Sequence, residues 1–201
     1  MRLIQNFIGG EYTSGLSGKT FDKRSPLDNS VIARVTEAGR DEVDAAVRAA
    51  RAALQGEWGG LSLDQRVDLL YGVADEITRR FEDFVAAEMA DTGQPSHVMR
   101  HVFIPRGAAN FKVFADVVKN VPAESFQMST PDGRGALNYA IRVPKGVVGV
   151  ISPWNAPFLL MTWKVGPALA CGNTVVVKPS EESPHTAALL GEVMNTVGIP
   201  K

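Results

Sequence analysis

Five side chains in two short stretches have the types and spacing to do chemistry. The first stretch, Ser152-Pro-Trp-Asn-Ala-Pro157, sets Trp154 and Asn155 between two prolines. Proline fixes its own φ and restricts the residue before it, so this backbone has few conformations. A restricted loop can aim the Asn155 carboxamide, whose NH2 donates two hydrogen bonds. Aimed donors of that kind are what a developing oxyanion needs. The second stretch, Lys178-Pro-Ser-Glu-Glu182, offers a cation in Lys178, a hydroxyl in Ser180 and a carboxylate in Glu181, a set suited to gripping a ribose or a phosphate. The alternative at this level is that all five are only turn and cap residues.

The elements around these stretches argue for a site. Val147 to Ile151 is a short, wholly apolar run, as expected of a strand buried on both faces. An apolar helix over Phe158 to Ala170 follows the first loop and stops at Gly172. Thr174 to Val177 is a second such strand, followed by the second loop. Ser183 can cap a last helix with Pro184 at its first position, and Gly198 closes it. Strand–loop–helix–strand–loop–helix is the pattern of a parallel α/β sheet, and in open sheets ligands bind beyond the carboxyl ends of the strands, where both loops lie. No Gly-x-Gly-x-x-Gly occurs, so the ordinary phosphate turn of a dinucleotide fold is not available.

Upstream the chain offers packing. Asn6 to Tyr12 reads as a hairpin about Gly9-Gly10, and Val31 to Val35 as a strand after the Ser25–Asn29 turn. Helical periodicity covers Asp41–Leu54, a stretch opened by a Ser62/Gln65 capping box, Phe81–Ala90 ending at Thr92-Gly93, and a helix begun by Pro105. Between Val121 and Arg142 prolines and glycines interrupt the pattern around a strand-like Ala136–Arg142. This segment is an extended ribbon, and pairing with another subunit is one way to cover its edge groups.

Composition narrows the class. The 201 residues are 45% hydrophobic with a formal net charge of −1, and Lys and Arg are dispersed, which argues against a nucleic-acid partner. No apolar run approaches the ~20 residues needed to span a bilayer, so no membrane span is expected. Cys171 is the sole cysteine, which excludes an internal disulfide or a cysteine-based metal cluster and suits a reducing, cytoplasmic setting.

The segments Gly146–Asn155, Trp163–Asn173 and Thr174–Glu181, taken together, closely resemble the aldehyde dehydrogenase superfamily. The resemblance extends over essentially the whole chain. It implies an α/β fold that is the N-terminal portion of the aldehyde dehydrogenase fold, a parallel Rossmann-like sheet with flanking helices plus an oligomerisation ribbon. Residues 1–121 and 143–201 would be an incomplete NAD-binding domain and 122–142 the ribbon, implying a homodimer or homotetramer. Asn155 matches the oxyanion-stabilising amide. Lys178 and Glu181 match positions that hold the adenosine ribose, with Ser180 beside them, and Ile151, Ser152, Pro153 and Trp154 line the cofactor cleft. A carboxylate at the ribose would repel a 2′-phosphate, so NAD is expected rather than NADP. Lys164 matches a motif position near the site.

Ile104–Asp116 and Leu190–Asn195 resemble the branch acting on muconic semialdehydes, aldehydes from aromatic ring cleavage that carry a carboxylate. There an arginine at the position of Arg106 grips that carboxylate, a role for which a planar guanidinium is well shaped. The alternative is a solvated arginine in a first helical turn. The family's nucleophilic cysteine, water-activating glutamate and cofactor glycine motif are expected beyond residue 201, so the segment alone is expected to be inactive. Cys171, at the end of an apolar helix, is expected to be a buried structural thiol. A rival reading is a non-catalytic nucleotide-binding or assembly module, which a cooperative melt and NAD binding without turnover would mark.

Three other patterns carry less. Asp91-Thr92-Gly93 is read as a helix end rather than an aspartic-protease tripeptide. His97 and His101 share a helical spacing without the glutamate of a zinc-protease motif, so they are read as surface residues. His185 is read as an ordinary helix-opening residue.

Overall fold

The computed structural model describes residues 2–201. Its elements run β1 (Arg2–Ile4), β2 (Asn6–Ile8), β3 (Glu11–Thr13), β4 (Thr20–Arg24), β5 (Val31–Thr36), α1 (Arg40–Gln55), α2 (Glu57–Gly60), α3 (Leu63–Arg79), α4 (Phe81–Thr92), α5 (Ser96–Val98) and a π-helical turn (Met99–Phe103). They continue with α6 (Ile104–Lys119), β6 (Ser125–Met128), β7 (Ala136–Tyr139), β8 (Val147–Ile151), α7 (Pro157–Ala170), β9 (Thr174–Lys178) and α8 (His185–Val197). No described helix is long and apolar enough to cross a membrane.

Helices build the core. The Ser62 hydroxyl accepts from the Gln65 N–H, and the Gln65 side chain accepts from the Ser62 N–H (3.2 and 2.8 Å), so two helix-end donors of α3 are satisfied reciprocally. Leu70, Val73, Ala74 and Ile77 then form the buried face of α3. Phe84, Phe111, Phe158 and Met161 join them in one cluster with α4, α6 and α7. Helix α7 contains Pro167, which costs about 3 kcal/mol inside a helix. Burial of Phe158, Met161, Val165 and Leu169 at about 1.5–3 kcal/mol each offsets that cost. Gly107 lets α6 approach α7 closely, because a Cβ there would lie 2.5 Å from the Phe158 ring. Trp58 is wholly buried, and its indole N–H reaches the carbonyls of Gly172 and Asn173 (3.1 and 3.0 Å), tying α2 to the turn before β9.

Among the described residues, four small sheets flank this body. Strands β2 and β3 form the expected hairpin, and β5 is the central strand of a sheet ordered β1-β5-β4. Strands β6 and β7 form an antiparallel ribbon with Phe126, Met128, Leu137 and Tyr139 exposed. Strands β8 and β9 run parallel, with Val147 opposite Thr174 and Ile151 opposite Lys178.

Several expectations are corrected. Strands β8 and β9 are not buried on both faces: Val148, Val150, Val175 and Val177 pack on the core, while Gly149 is exposed and Ile151 is 74% exposed. An all-apolar strand shows that both faces avoid water somewhere, not that this segment covers both. Pro105 stands in the first turn of α6, as expected, but α6 is not a fresh start. Helical structure starts at Ser96 and reaches α6 through the π-helical turn, and such widened turns accommodate irregularities in the hydrogen-bond ladder. Cys171 is exposed rather than buried, because it lies just past α7, where the side chain leaves the packed face between buried Ala170 and Gly172. Strands β1 and β4 were not anticipated.

Candidate functional site

The parallel register brings the two loops together. The Ser152 N–H donates to the Lys178 carbonyl (3.2 Å), so the chain leaves β8 and β9 side by side at the same edge. In the first loop Ser152 is buried, whereas Pro153, Trp154 and Asn155 are exposed. Among the described residues no group hydrogen-bonds the Asn155 carboxamide. Its backbone is held, however: the Gln94 side-chain amide donates to the Asn155 carbonyl (2.9 Å). Three residues on, the Phe158 N–H in the first turn of α7 donates to the Glu88 carboxylate (3.1 Å).

Glu88 is fully buried, and burial pushes its pKa up to about 7 against the hydrogen bond from Phe158. Its second oxygen lies near the Thr186 hydroxyl without a well-formed hydrogen bond to it. The Phe158 ring sits 4.7 Å from that of Phe84, centroid to centroid, and Asn110 of α6 donates to the Thr162 hydroxyl (3.0 Å). The start of α7 is therefore gripped by both α4 and α6.

In the second loop Lys178 and Glu181 form an ion pair at 3.0 Å with both side chains 64% exposed. Hydrogen bonds from its own backbone N–H and from Lys178 hold the Glu181 carboxyl below its ordinary range. Ser180 is buried and its hydroxyl accepts from the Glu182 N–H (3.2 Å), so it shapes the turn. Trp154, Glu181 and Glu182 line a groove of about 500 Å³ with Phe21, Lys23 and Asp91.

A second anchor was missed at the sequence level. Lys23 of β4 is buried and donates to the carbonyls of Arg24 and Asp91 (2.7 and 3.2 Å), with Glu182 at 3.8 Å. The Asp91 carboxylate accepts the His185 N–H (2.9 Å) and meets the His185 Nδ1 (2.6 Å). Asp91 thus supplies the cap of α8 that Ser183 was expected to give. The Ser183 hydroxyl is buried without a partner, and Pro184 occupies the position just before the helix. His185 is correspondingly a buried, paired residue rather than an ordinary opener. The available signal was a carboxylate at the buried spacing of α4, since Glu88 and Asp91 follow Phe84 at i+4 and i+7.

Arg106 is exposed on α6 beside Gly107 and hydrogen-bonds none of the loop residues. Lys164 is exposed on α7, its ammonium on the Leu160 carbonyl (3.2 Å). His97 and His101 are exposed, as expected, with ring centroids 6.1 Å apart.

Comparison with known proteins places this arrangement. The model of the aldehyde dehydrogenase family matches residues 12–201. The chain belongs to the aldehyde dehydrogenase family. Over 200 residues it is 64% identical to a 2-hydroxymuconic semialdehyde dehydrogenase of Pseudomonas sp. (strain CF600), covering all of this chain and 41% of that protein. It is 57% identical to a 2-aminomuconic 6-semialdehyde dehydrogenase of Pseudomonas sp., covering all of this chain and 40% of that protein. The NAD+ complex of an aldehyde dehydrogenase from Bacillus cereus superposes with a TM-score of 0.93 at 35% identity, over 99% of this chain and 40% of that one. The chain spans about two-fifths of the length of the relatives it matches. Within this family fold, the exposed carboxamide and the exposed ion pair share one strand edge.

Proposed function

We propose that the complete enzyme carrying this chain is an NAD-dependent oxidoreductase that converts 2-hydroxymuconate 6-semialdehyde to its dicarboxylate. The observation that carries the reading is the register of β8 and β9, which sets the unengaged Asn155 carboxamide and the Lys178–Glu181 pair at one edge. The relatives whose names specify muconic semialdehydes support the substrate class.

The residues present suit a dinucleotide. Exposed Ile151 and Trp154 give apolar surface, and beside it stand a carboxylate that accepts and an ammonium that donates, as a ribose diol requires. Ser152 and Pro153 shape the cleft wall, and Ser180 fixes the turn that presents the pair. The negative charge of Glu181 favours NAD over NADP, whose 2′-phosphate it would repel. When bound, NAD would supply the acceptor for the hydride that leaves the substrate carbon. Asn155 donates its amide hydrogens to the aldehyde oxygen as negative charge develops there during attack by a thiolate from the remainder of the enzyme. Arg106 holds the substrate carboxylate by paired hydrogen bonds.

Residues 1–121 and 143–201 are the N-terminal share of the NAD-binding domain, and 122–142 form a ribbon that pairs with a second subunit through its exposed apolar side chains. The decisive experiment gives the complete enzyme 2-hydroxymuconate 6-semialdehyde and measures kcat/KM with NAD and with NADP. Preferred turnover with NAD is expected. Higher kcat/KM for 2-aminomuconate semialdehyde, or for NADP, would move the assignment to that substrate or cofactor.

A further inference from the structure

We infer that Gln94 and Glu88 are positioning residues for Asn155, together fixing the backbone that presents its carboxamide; the inference rests on the oxyanion role proposed above. Asn155 lies two residues before α7, and its carboxamide direction follows from the backbone on either side of it. Gln94 takes hold of that backbone at the Asn155 carbonyl (2.9 Å) and Glu88 at the Phe158 N–H (3.1 Å). Both come from the end of α4 and the turn after it, so one rigid element grips the loop from two points.

The rest of the neighbourhood makes that grip stiff. The Phe158 ring is wedged between Phe84 and Gly107, and buried Asn110 ties the next turn of α7 to α6. A buried carboxylate that accepts a single backbone N–H is costly to keep in a core. An apolar residue at 88 would fill the space without that cost, so the position is better explained by what the carboxylate holds. Misplacing a donor by about 1 Å can cost about 100-fold in rate, so this hold bears directly on turnover.

The test is a double-mutant cycle in the complete enzyme, measuring kcat and the KM for NAD. Gln94→Ala is expected to lower kcat about tenfold when Asn155 is present and less than twofold in the Asn155→Ala background, with little change in the KM for NAD. Glu88→Met is expected to lose more activity than Glu88→Gln, which keeps an oxygen acceptor for Phe158. Equal losses for Gln94→Ala in both backgrounds, beside a large loss for Asn155→Ala alone, would overturn the positioning role and leave the oxyanion role standing. A normal rate for Asn155→Ala would overturn both. Should Glu88→Met fail to fold, Gln94→Ala decides, because Gln94 is only half-buried and outside the core cluster.

Discussion

The two loops at the strand edge are built in opposite ways. The Ser152–Pro157 loop is held from behind by a buried carboxylate, a side-chain amide and a wedged phenyl ring. The Lys178–Glu182 loop is anchored at Glu182 and Ser180, but its Lys178–Glu181 ion pair, the proposed ribose grip, points into solvent. An exposed ion pair contributes about 0–1 kcal/mol, so Lys178 and Glu181 can trade each other for ligand hydroxyls at small cost. A donor that meets a transition state has to be fixed before the reaction. A pair that grips a ribose has to be free to exchange partners.

Asn155→Ala in the complete enzyme probes this contrast most strongly, with kcat expected to fall roughly 100-fold or more in steady-state assays. An unchanged rate would remove the reason for the first loop's stiffness. Arg106→Ala is expected to lower kcat/KM for the carboxylate-bearing semialdehyde about 100-fold, and much less for a simple aliphatic aldehyde. Equal losses on both substrates would mean that the change acts through the packing of α6 on α7. Glu181→Ala should raise the KM for NAD about tenfold and narrow the preference over NADP, an effect located in binding rather than turnover. A loss confined to kcat would contradict the division of labour between the loops.

The smallest expected effect is on stability. The Glu88 pKa is raised in the folded state to about 7 from 4.5, so the native protein holds that proton more tightly than the unfolded chain. The associated stability is full below the unfolded pKa and is lost as pH rises through about 7, roughly 3 kcal/mol at most. Glu88→Gln should flatten stability between pH 5 and 8 in denaturant titrations, and an unchanged slope would assign it to another group. Glu181 has the opposite sign, its pKa lowered, and its small contribution is lost as pH falls through that lowered value.

What the sequence revealed follows the same division. Apolar runs bounded by loops marked β8 and β9, and a local capping box marked α3, because both signals lie within a few residues. The anchors are long-range. Glu88 meets a backbone N–H 70 residues away, and Asp91 caps a helix 94 residues away, displacing the nearer Ser183. In the structure Glu88 and Asp91 share the buried face of α4 with Phe84, but no local pattern says which distant donor they meet. Strand β4 is hidden for a related reason: Thr-Phe-Asp-Lys-Arg lacks the apolar alternation of a strand, and its one buried side chain is Lys23, satisfied by the neighbouring Arg24 carbonyl and by the distant Asp91 carbonyl.

The close fit of Gly107 against Phe158 gives α6 two neighbouring positions with opposite freedom to vary. At 106 the side chain points to solvent, and if it holds the substrate carboxylate as proposed, a designer could exchange it to court aldehydes of other charge or shape without disturbing the helices. At 107 even a methyl group would drive the phenyl ring, and with it the start of α7, out of place. Libraries that retune substrate choice along this helix should randomise the first position and leave its neighbour as glycine.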